Sequence, residues 1–64
     1  MTETIEHSLR QLRLSGMAET LDIRLHEART NRLSHEQFLE LVLQDERLVR
    51  KERQFARRLR QASF

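Results

Sequence analysis

The sequence predicts an all-α fold: a small helical domain of two short helices plus one long carboxy-terminal helix, in a three-helix, partly open bundle. Three observations lead there. Proline is absent and glycine occurs once in 64 residues, so little in the chain interrupts a helix. Apolar residues recur every three to four positions, the spacing that gathers them on one side of a helix. A strong helix-start pattern stands at Leu33-Ser34-His35-Glu36-Gln37-Phe38, and no breaker follows it.

The first helix is expected over about residues 3–13. Ile5, Leu9 and Leu12 fall at i, i+4 and i+7, and Glu6 with Arg10 forms a supporting i, i+4 pair. The pattern breaks at Leu14-Ser15-Gly16, where Gly16 is expected to take the left-handed conformation that closes one helix and Ser15 to cap the next. Met17, Leu21, Leu25 and Ala28 then define a second helix over about residues 16–30, ended by Asn31-Arg32.

At the third helix the Ser34 hydroxyl can accept from the Gln37 amide while the Gln37 side chain reaches back to the Ser34 amide, and Leu33 can pack on Phe38. This helix is expected over about residues 35–61, roughly 40 Å at 1.5 Å per residue. Its apolar positions, Phe38, Leu41/Val42, Leu48/Val49, Phe55/Ala56 and Leu59, repeat at near-heptad spacing. The first half is expected to pack on helices one and two. The second half projects past them, which leaves Leu48, Phe55 and Leu59 to meet a second copy of the chain or another domain. Asp45 and Glu52 interrupt that seam and favour a short or mixed coiled coil over a continuous one.

A single domain of this length buries only about 60% of the surface its unfolded chain exposes, so its core is marginal unless a partner adds to it. With no cysteine and three separated histidines, neither a disulfide framework nor a zinc module is on offer. His26-Glu27 and His35-Glu36 begin like zinc-protease helices, but Thr30 and Leu39 stand where the second ligand belongs. No catalytic constellation or metal site is expected, and one glycine cannot build a phosphate loop. The longest apolar run is Leu41-Val42-Leu43, far short of the roughly 20 residues of a spanning helix. The amino terminus lacks the basic and apolar regions of a secretion signal, so a cytoplasmic location is expected.

Charge is the chemical signal. The net charge of +2 hides a split: residues 1–46 carry five basic and nine acidic side chains, and residues 47–64 carry seven basic side chains against Glu52 alone. Eleven of the twelve cations are arginine, whose planar guanidinium suits phosphate or carboxylate. Arg50, Lys51, Arg53, Arg57, Arg58 and Arg60, with Arg47 before them, surround the apolar stripe of the third helix. They are the candidate DNA-binding residues, acting on duplex DNA through backbone phosphates. No aromatic pattern supports base stacking. A membrane surface is a poor partner, because the apolar face after residue 46 is sparse, with no tryptophan and only Phe55 and Phe64.

Three segments together bring out a family likeness: Leu9-Arg10-Gln11-Leu12-Arg13-Leu14-Ser15-Gly16-Met17-Ala18-Glu19-Thr20-Leu21, Leu33-Ser34-His35-Glu36-Gln37-Phe38, and Arg53-Gln54-Phe55-Ala56-Arg57-Arg58-Leu59-Arg60-Gln61-Ala62. With them the chain resembles, over nearly its whole length, the amino-terminal region of IstB-like transposition helper ATPases. The resemblance implies a small helical domain placed before an AAA+ ATPase related to helicase loaders of the DnaC type. It implies ATP-dependent assembly on DNA in a family that helps a transposase engage its target in insertion sequences. ATP and magnesium are then expected only in the ATPase domain, which these 64 residues do not contain. The implied role here is a non-catalytic, homo-oligomeric, DNA-associated assembly module. The alternative is an adaptor that docks on a transposase, a helicase or its own ATPase domain without touching DNA.

Overall fold

A computed structural model describes residues 2–62, and Phe64, one of the two aromatics weighed for membrane contact, lies outside them. The fold is all-α: α1 (Thr2–Gln11), α2 (Ser15–Thr30) and α3 (His35–Ala62), with no strand among the described residues. The molecule measures 49 × 22 × 15 Å, and α3 sets the long dimension.

The first turn differs from its expectation. α1 stops at Gln11, and the left-handed residue is Arg13 (φ 62°), not Gly16. The Arg13 amide donates to the Arg10 carbonyl at 3.0 Å and the Leu14 amide to the Leu9 carbonyl at 2.7 Å. These two bonds are the Schellman pattern, in which the left-handed residue follows the cap and apolar residues flank it, here Leu9 and Leu14. Arg32 (φ 52°) closes α2 in the same way, with the Leu33 amide bonded to the Ala28 carbonyl at 2.9 Å. Leu14, not Ser15, occupies the N-cap of α2, and it makes no side-chain cap. Leu12 lies in the turn and is exposed.

Gly16 sits inside α2 for a different reason. A Cβ there would stand 2.9 Å from the Glu46 Cα and 2.9 Å from the Val49 Cγ2, so the missing side chain lets the two helix backbones approach. At the start of α3 the reciprocal cap forms as expected: the Gln37 amide donates to the Ser34 hydroxyl at 3.1 Å, and the Ser34 amide to the Gln37 side-chain oxygen at 2.9 Å.

The connection between α2 and α3 is short, so α2 runs back antiparallel along α3. Ala28 and Leu25 lie beside Phe38 near the connection, Met17 meets Glu46, and Ser15 meets Arg53. The pairing therefore extends well past the middle of α3, and only its last turns overhang. α1 packs on α2, and among the described residues it has no packing against α3, contrary to the expected three-way contact.

The apolar stripe read from α3 resolves into two. Val42 (1% exposed) and Val49 face α2, whereas Leu48 (58%), Phe55 (64%) and Leu59 (55%) lie exposed on the flank. One residue is 100° of helix, which is why Leu48/Val49 and Phe55/Ala56 cannot share a face. Asp45 is also off the flank. It is buried against α2, where Arg24 forms a fork to it through Nε at 2.8 Å and Nη2 at 2.9 Å.

Candidate nucleic-acid interface

The carboxy-terminal cations fall on two sides of α3. Arg50, Arg53 and Arg57, at i, i+3 and i+7, share one side, and Arg60 continues the line of Arg53 seven residues on. Arg47, Lys51 and Arg58 occupy the other, adjoining the exposed flank of Leu48, Phe55 and Leu59. All seven cations are exposed.

The first side is held in place by the fold. Arg50 Nε donates to Glu46 Oε2 at 2.7 Å, and Arg53 Nη2 donates to the Ser15 hydroxyl. Glu46 is itself buried, and its Oε1 accepts from the Met17 amide at 3.2 Å, so this side chain from α3 satisfies one of the free amides that begin α2. Burial alone would push the Glu46 carboxyl up. The Arg50 guanidinium and the Met17 and Gly16 amides outweigh burial and hold it below the usual carboxylate value. Asp45 is likewise held low by its hydrogen bonds from Arg24, and the same bonds raise the Arg24 guanidinium.

Arg13 joins this side. It lines a shallow depression of about 360 Å³ with Arg50, Arg53, Gln54 and Arg57, and so brings the turn after α1 against the late part of α3. Sequence reasoning missed this residue because it assigned the left-handed position to the glycine. The signal was the apolar pair Leu9 and Leu14, which a Schellman turn places around its left-handed residue. No group of three or more histidine, cysteine, aspartate or glutamate side chains able to hold a metal occurs among the described residues. No helix among them is long and apolar enough to cross a membrane.

These features define a small all-α module with a helical hairpin and a cationic, apolar-flanked arm. Over residues 7–64 the sequence matches the family described as IstB-like ATP binding protein, and the chain belongs to that family. It is 43% identical over 60 residues to a Mycobacterium tuberculosis protein whose name describes an ATP-binding protein in an insertion sequence. That match covers 94% of this chain and 24% of the relative, so the chain spans about a quarter of the relative's length. No solved structure matches it.

Proposed function

We propose that this chain is the assembly and DNA-associated module of an insertion-sequence ATP-binding helper, acting where a transposase engages target DNA in the cytoplasm. The observation that carries this reading is the basic arm of α3, whose cations and exposed Leu48, Phe55 and Leu59 occupy adjacent sides of one helix. Arg50, Lys51, Arg53, Arg57, Arg58 and Arg60 meet backbone phosphate, and the apolar flank joins chains. Its part in the helper is non-catalytic. Supporting this, the single glycine is packed in α2 against Glu46 and so takes no part in a phosphate-cradling loop. Binding of ATP and magnesium is assigned to other parts of the helper.

Titration of a labelled duplex at several salt concentrations tests the reading. The expected result is binding that weakens steeply with salt, with a log–log slope of about −0.9 per phosphate neutralised and little sequence preference. Salt-independent or undetectable binding by folded, assembled protein overturns it.

A second reading, docking on a transposase, a helicase or an ATPase domain without DNA contact, has the same exposed arginines meet acidic side chains in place of phosphate, as Arg50 already meets the Glu46 carboxylate. Under it, replacing Arg53, Arg57 and Arg58 with glutamate abolishes partner capture and leaves DNA retention unchanged.

A further inference from the structure

We infer that the depression between the α1–α2 turn and α3 is a phosphate cradle for the backbone of duplex DNA. Arg13 is its key residue. The inference rests on the DNA-associated reading above and sharpens it. Arg13, Arg50, Arg53 and Arg57 converge from two separate segments on one concave surface, and Glu46 is the carboxylate paired among them. Two of the four are anchored before any ligand arrives, Arg50 by Glu46 and Arg53 by Ser15. Anchoring lowers the ordering cost of binding, and each guanidinium still keeps donors for an incoming oxygen.

The second observation is that the Schellman turn after α1 fixes where the Arg13 side chain starts, against the late part of α3. A left-handed φ is unfavourable for an arginine and costless for a glycine, yet arginine holds this position and its side chain lines the depression. Arg32 takes the same backbone conformation outside the depression, so it is the position of Arg13 against α3, and not its φ, that marks the site. The opposite side, Arg47, Lys51 and Arg58, adjoins Leu48 and Phe55 and lies outside the cradle.

The strained backbone also supplies a clean experiment. Arg13→Gly removes the cationic side chain while relieving the left-handed residue, so the variant is expected to melt at or above the wild-type temperature. Arg32→Gly makes the same backbone change at the other end of α2, away from the cradle, and serves as the control. Binding of each protein to a fluorescein-labelled random-sequence duplex is measured by anisotropy between 50 and 200 mM salt.

The expected result is that Arg13→Gly binds several-fold more weakly, with a salt slope shallower by about 0.9, the value of one phosphate contact. Arg32→Gly should match the wild type. Wild-type affinity and slope in Arg13→Gly overturn the cradle and leave the DNA reading standing. Absence of salt-dependent binding in the wild type itself overturns both.

Discussion

A methyl group on Gly16 would meet the Glu46 Cα and the Val49 Cγ2 at 2.9 Å each, and one of these is backbone that cannot rotate away. Gly16→Ala should therefore destabilise the fold by about 1–2 kcal/mol, although alanine is the better helix former, because overpacking outweighs the propensity gain. Thermal melting followed by circular dichroism checks this, and a raised melting temperature would contradict it. The buried carboxylates set the acid response. Asp45 and Glu46 lie below their ordinary values of 3.8 and 4.5 in the fold, so their contribution is fully present above those values and is lost as pH falls through the lowered ones. The melting temperature should hold steady down to about pH 5 and drop below it, and Asp45→Asn should show a smaller drop over the same window. Such contacts were hard to read in the sequence for a physical reason. The Ser34–Gln37 cap spans three residues, and both its donors and acceptors are visible in one segment. Arg24–Asp45 and Met17–Glu46 join residues 21 and 29 apart, and a buried carboxylate has the same letter as a solvated one.

All three helices were legible from apolar spacing, and the start of α3 was legible to the residue. What spacing could not separate was two stripes one residue apart on a single helix. Val42 is buried and Val49 half-buried only because α2 lies over them, and nothing within α3 itself distinguishes them from Leu41 and Leu48. The candidate cations were likewise legible as a run, but their division into two sides needed the position of α2. The flank gives a prediction at this scale. Wild-type protein should scatter light as a species heavier than the 7.8 kDa monomer, and Phe55→Asp should return it to monomer mass. Equal monomeric masses for both would remove Leu48, Phe55 and Leu59 as a contact between chains.

At the scale of the molecule, the buried apolar side chains among the described residues are Ala18, Leu21 and Val42, joined by the buried Asp45 and Glu46, while eight large apolar residues among them are exposed. The expected shortage of core is thus real, and it is spread over both ends of the chain. Leu12 and Ile23 are more exposed than Leu48 or Leu59. A domain of this size holds only a few kcal/mol of net stability, so surface covered by assembly would count for much of the total. The hairpin is also asymmetric in how its two ends are secured. At the α2–α3 connection the Leu33–Ala28 hydrogen bond and the Ser34–Gln37 cap close a loop of a few residues, where closure costs least and pairing begins soonest. The far end, where Gly16 meets Glu46 and Arg53 meets Ser15, is the last to zip and the first to fray. Arg13 and Arg57 sit across that open end, so a phosphate gripped by both would act as a clasp on a zipper otherwise fastened at one end.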